Sequence, residues 1–184
     1  RVHCAARLAC PHKGVYLIPA NALKLIDSLA VALSECNPSM ADVYSANAAI
    51  YKEEIENARD EIKNVLAKKE KHVIVMGDRF PLKYFAKEFG IEYYAAFAGC
   101  SSAVEANPTV IANLTNIIKE EKLPAVFTIE LSNRRIAQTI AESTGVKVLE
   151  LNAAHNLTQR QFDSGMTYID TLYANAEALK AGLR

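Results

Sequence analysis

The sequence predicts an α/β fold: a long backbone helix followed by a four-stranded parallel sheet with helices on both faces. Three observations predict it. From residue 72 onward, four short apolar segments alternate with helical stretches of about 10–20 residues, the rhythm of a parallel sheet. Before that point the apolar residues recur at steps of three and four, as on one face of a helix. Hydrophobic residues make up 51% of the chain, enough for a core, yet no run of about 18 apolar residues offers a membrane span.

Residues 1–20 show no period and read as a leading segment of irregular structure. His3, Cys4, Cys10 and His12 crowd there, but their spacing matches no closed zinc pattern. A helix is expected over 21–36, with Asn21 as its cap and Leu23, Leu25, Ile26, Leu29, Val31 and Leu33 as its apolar face. Asn37 and Pro38 end it. Ser39 opens a second helix reaching Lys69, with the stripe Met40, Tyr44, Ala48, Tyr51, Ile55, Ala58, Ile62 and Val65. At 1.5 Å per residue such a helix is roughly 46 Å long. Ala and Tyr at its seam suit a backbone helix shared by two lobes better than a coiled coil. The chain thus divides into the leading segment, a helical part over 21–71, and an α/β lobe over 72–184.

In the lobe, His72–Met76 reads as a buried strand, then a Gly77-Asp78-Arg79 turn, then a helix from Pro81 stopped by Gly90. The second strand is 92–97. Pro108 begins the next helix, 125–129 is the third strand, a helix covers 132–143, and 146–151 is the fourth strand. A last amphipathic helix follows residue 160 and buries Phe162, Met166, Ile169, Leu172, Tyr173, Ala176 and Leu179.

Parallel strands bring their carboxyl ends to one edge, where open α/β sheets bind ligands. Asp78, Glu130, and Asn152 with His155 follow three of these strands. Two carboxylates and an imidazole are donors suited to a divalent transition metal. The same residues can also serve as helix caps or solvated loop groups. The formal net charge of zero gives no attraction to nucleic acid. Cys100 is a candidate nucleophile with no base in sight, and the Gly99-Cys-Ser-Ser string lacks the spaced glycines and lysine of a phosphate loop. Neither supports an enzyme.

Several strings resemble the zinc and manganese solute-binding lipoproteins of ABC importers. Val75-Met-Gly-Asp-Arg-Phe with Tyr84-Phe85 is similar to the family's strand and first turn. Ala103-Val-Glu-Ala-Asn-Pro is similar to its Ser-Glu-Pro-Ser-Pro loop. Val126-Phe-Thr-Ile-Glu130, the run from Ile136 to Leu149, and Tyr168–Leu183 resemble its later elements. The likeness covers about residues 19–184. It implies one lobe of a two-lobed periplasmic-binding-protein-like fold, with most of the other lobe outside this chain, which begins Arg1-Val-His-Cys and reads as a piece of a longer protein. It also implies a non-enzymatic receptor, outside the cytoplasm and lipid-anchored, that hands Zn²⁺ or Mn²⁺ to an ABC permease.

Carried over by position, Glu130 falls at the family's third ligand, within one residue. The family's histidine of the first turn falls at Gly77, beside Asp78. Its final aspartate falls at Asn152, three residues before His155. Cys10-Pro-His12 is similar to its Asp-Pro-His stretch. The resemblance therefore implies a metal site rebuilt from Asp78, Glu130, His155 and His12. The alternative is a relative that has lost its metal and acts as an adhesin or interaction protein.

Overall fold

The computed structural model describes residues 18–97 and 107–184. Helices α1 (Pro19–Cys36) and α2 (Ala41–Ala67) are joined by a single 3-10 turn at Pro38–Met40. The lobe then runs β1 (Val73–Arg79), α3 (Lys83–Phe89), β2 (Glu92–Phe97), α4 (Pro108–Glu121), β3 (Ala125–Thr128), α5 (Arg135–Thr144), β4 (Lys147–Glu150), α6 (Gln159–Asp163) and α7 (Tyr168–Gly182). All four strands are parallel, in the order β2-β1-β3-β4. The chain steps outward from β1 to β2, then returns across β1 to β3. The crevice at the carboxyl ends of β1 and β3 is therefore the switch point of the sheet, the place where such folds take ligands.

Strand alternation sorts the core into two layers. Ile74, Met76, Ala125 and Phe127 face a cluster with Ile55, Ala58, Ile62 and Val65 of α2, Phe85 of α3, and Leu172 and Leu179 of α7. Val75 and Val126 point to the other face and meet Leu114, Ile118, Ala137 and Ile140 of α4 and α5. Two contacts are unusually close. A Cβ on Gly77 would lie 2.6 Å from the Cα of Ala137, so α5 rests directly on the β1 backbone. A Cβ on Gly182 would lie 2.2 Å from Cζ of Phe127, so the end of α7 sits flush on β3.

The structure shifts several expected boundaries. β1 continues through Gly77, Asp78 and Arg79 instead of turning there, with an irregular register against β2 between Met76 and Arg79. α1 begins at Pro19, at its favoured first-turn position, and Ile18 rather than Asn21 precedes it. The expected apolar face of α1 is largely in solvent: Leu25 is 60% exposed, Leu29 58% and Val31 60%. Only the second half of the α2 stripe, from Ile55 onward, is buried in the lobe. At 27 residues the helix is about 40 Å long, and its first half contributes no buried residue. The expected last helix is two helices. A capping box at Thr158 starts α6, Gly165 breaks the chain, and a second box at Thr167 starts α7. Phe162, expected inside, is 70% exposed because it lies on short α6 rather than on α7. The left-handed Gly90 after α3 and the start of α4 at Pro108 are as expected, and the Asn107 side chain caps that start.

Candidate metal centre

Asp78 is the penultimate residue of β1 and is buried. Its Oδ1 accepts the Arg79 N–H at 2.7 Å, and the Arg79 guanidinium lies 3.6 Å away. Its Oδ2 accepts the Ser132 hydroxyl, whose oxygen in turn accepts the Arg134 N–H at 3.0 Å. Asp78 therefore ties the loop after β3 to the end of β1; it does not cap α3, whose first turn has no side-chain cap.

Glu130 stands two residues beyond β3 and is also buried. Its Oε2 accepts the Ala153 N–H at 2.7 Å, across to the loop after β4. Asn152, at the start of that loop, is clamped by Asn175 of α7. The Asn152 N–H donates to Asn175 Oδ1 at 2.7 Å, and Asn175 Nδ2 donates to the Asn152 carbonyl at 2.9 Å. Asn152 Oδ1 accepts the Ala154 N–H at 2.6 Å. Ala154 is left-handed, with φ of 49°. His155 follows, partly buried, with its Nε2 shielded from solvent. It lines a groove of about 820 Å³ whose walls include Leu25, Tyr51, Phe162, Met166 and Tyr168.

Asp78, Glu130 and His155 each have different surroundings at this edge. Among the described residues, no group of three or more His, Cys, Asp and Glu side chains is placed to hold a metal ion. The reason is local. Extension of β1 through Arg79 turns Asp78 toward Ser132, Glu130 is engaged by the Ala153 N–H, and the loop after β4 carries His155 out to the groove between α1, α2, α6 and α7. His12, Cys100 and the other early cysteines and histidines lie outside the described residues.

Sequence reasoning missed Ser132 and Asn175. Asn175 had a signal: it is three residues from Leu172 and four from Leu179, on the buried stripe of α7, where an amide must find partners. It also missed a half-buried ion pair between α2 and α3. Arg59 Nε of α2 and Glu88 Oε1 of α3 lie 2.7 Å apart, close enough to attract but off the line of a good hydrogen bond. Burial pushes the Glu88 carboxyl above its usual range, although Arg59, the Ala20 N–H at the start of α1 and Lys63 pull it down. Burial, with Glu88 adding to it, also raises the Tyr168 phenol well above its ordinary value.

This parallel sheet with a long helix packed on it has the architecture of one lobe of the periplasmic-binding-protein-like fold. The chain is 29% identical over 171 residues to the zinc-binding lipoprotein AdcA of Streptococcus pneumoniae, covering 92% of this chain and 33% of AdcA. Among solved structures it is similar to the metal-dependent lipoprotein YcdH of Bacillus subtilis, with a TM-score of 0.80 and 26% identity over 93% of this chain and 64% of that one. It is also similar to the laminin-binding protein Lmb of Streptococcus agalactiae, described as bifunctional in adhesion and metal transport, with a TM-score of 0.73 and 26% identity over 93% and 64%. The chain thus spans about a third of its curated relative AdcA. Its residues 11–182 match the profile of the family of the periplasmic zinc-uptake complex component A, ZnuA, and it belongs to that family.

Proposed function

We propose that this chain is the α/β lobe of a zinc receptor that serves an ABC importer outside the cytoplasm, and that His155 is the metal ligand this lobe supplies. The observation that carries the reading is the placement of His155. It is a partly buried imidazole on a hydrogen-bonded loop at the carboxyl edge of a parallel sheet, opening on a groove between helices. Family membership supports zinc as the cargo, and imidazole favours zinc over magnesium or calcium. His12 is the second imidazole of the proposal; Asp78 and Glu130 shape the edge. Remaining ligands come from the part of the full protein that this chain does not span. Such a receptor does no chemistry on its cargo. Coordination supplies affinity, and release to a membrane permease completes its task. Lipid anchoring of the full-length protein belongs to the same proposal.

Calorimetric titration with Zn²⁺ and Mn²⁺ tests it. His155→Ala is expected to weaken zinc binding at least tenfold. Equal affinity in both proteins removes His155 from the site.

A second reading is a metal-free adhesin of the same fold. Two observations favour it: the lack of a three-ligand group among the described residues, and the exposed apolar face of α1. Elemental analysis separates the two, since an adhesin of this kind is purified without zinc and still binds immobilised laminin.

A further inference from the structure

The groove of about 820 Å³ between α1, α2, α6 and α7 carries no Asp, Glu, Lys or Arg in its lining among the described residues. Helix α1 contributes Leu25 and Ile26, α2 Tyr51 and Ile55, α6 Phe162, and the turn between α6 and α7 Met166. The polar side chains of the lining direct their donors into the protein. The Gln159 amide donates to Asp163 Oδ1 at 2.8 Å, the Thr167 hydroxyl to Asp170 Oδ2 at 2.7 Å, and the Thr171 hydroxyl to the Thr167 carbonyl at 3.1 Å. His155 adds a single imidazole. The Tyr168 phenol, raised by burial, is uncharged at neutral pH. Two large apolar side chains of the lining, Leu25 and Phe162, remain 60% and 70% exposed. Water therefore covers apolar wall that a bound molecule would release.

We infer that this groove binds a small uncharged organic molecule with an aromatic or alicyclic body. Its volume lies within the range of about 300–1,000 Å³ typical of small-molecule sites. Charge decides the class of guest. An ionised ligand entering here would leave water and meet no carboxylate, ammonium or guanidinium of opposite sign, a costly exchange. An uncharged ring system releases water from Leu25, Ile26, Ile55 and Phe162, and it meets the aromatic rings of Tyr51, Phe162 and Tyr168. The inference goes beyond the receptor reading and does not rest on it. No metal takes part, and the test is run with a chelator present, so its failure leaves that reading untouched.

The experiment is a fluorescence titration with N-phenyl-1-naphthylamine, beside 1-anilinonaphthalene-8-sulfonate, which has the same rings and one negative charge. The expected result is saturable one-to-one binding of the neutral dye and binding of the sulfonate at least about tenfold weaker. Leu25→Asp and Phe162→Asp, at positions exposed enough to leave the core intact, are each expected to weaken the neutral dye about tenfold or more. Leu29→Asp lies on the same helix as Leu25 and is similarly exposed, but it is outside the lining; it is expected to leave affinity within about twofold. If one lining variant does not fold, the other decides. Binding without saturation, equal affinity for the two dyes, or equal losses in Leu25→Asp and Leu29→Asp overturn the inference. A dimer in light scattering that Leu25→Asp or Phe162→Asp converts to monomers also overturns it, in favour of a second copy of the chain as the occupant.

Discussion

Gly77→Ala puts a methyl group where α5 already lies. Carbon atoms in contact normally sit about 3.5–4.0 Å apart. The new Cβ would stand 2.6 Å from Cα, 2.7 Å from Cβ and 2.7 Å from the backbone N of Ala137, an overlap of about 1 Å. Two of those three atoms are helix backbone, so no side-chain rotation relieves the clash. α5 must move outward, and Ala137 and Ile140, both fully buried against Val75 and Val126, move with it. Overpacking of this kind costs about 1–3 kcal/mol, and rigid neighbours put it near the top of that range. For a chain of this length about 3 kcal/mol lowers Tm by about 6–12 °C. Urea unfolding followed by circular dichroism reads the loss as a lower midpoint at unchanged slope. Adding Ala137→Gly removes one of the three contacts and is expected to recover only part of it. A single variant within about 0.5 kcal/mol of wild type, or full recovery in the double variant, refutes the reasoning. The result bears on the site, because Gly77 is where the family resemblance puts a histidine. With α5 seated on this residue, Gly77→His cannot restore an imidazole there without dislodging the helix.

Other outcomes are expected elsewhere. Thr167→Ala removes the capping hydroxyl of α7 and is expected to cost about 1 kcal/mol in urea unfolding at neutral pH. Hydrogen bonds from the Thr167 hydroxyl and N–H hold the Asp170 carboxyl below its ordinary range. Their contribution is present above that range and lost as the pH falls through the lowered value, so the gap between variant and wild type should narrow in strong acid. Glu88 behaves oppositely. Burial raises its folded-state value, so its contribution is complete below the ordinary carboxylate range and is lost as pH rises through the folded value. Glu88→Gln, always neutral, should therefore gain stability relative to wild type as the pH rises above the ordinary carboxylate range; a difference independent of pH refutes this.

Much of this protein follows from local pattern. Alternating apolar segments, the glycine after α3, the Asn107–Pro108 start of α4 and the three-and-four stripe of α2 each act over a few residues, so the order of elements and the parallel sheet were legible in the chain. Periodicity reports that a face is apolar, not what covers it. That is why Leu25, Leu29 and Val31 were expected inside and lie outside, and why Phe162 was assigned to a helix it does not join. The three polar loops were correctly traced to one edge of the sheet. What each side chain does at that edge was decided by tertiary structure alone. A buried carboxylate takes whatever donor the fold brings to it, and the donors of Asp78 and Glu130 lie 54 and 23 residues further along the chain, at Ser132 and Ala153. No pattern within either segment records that partner, because the hydrogen bond exists only once the sheet has brought the loops together.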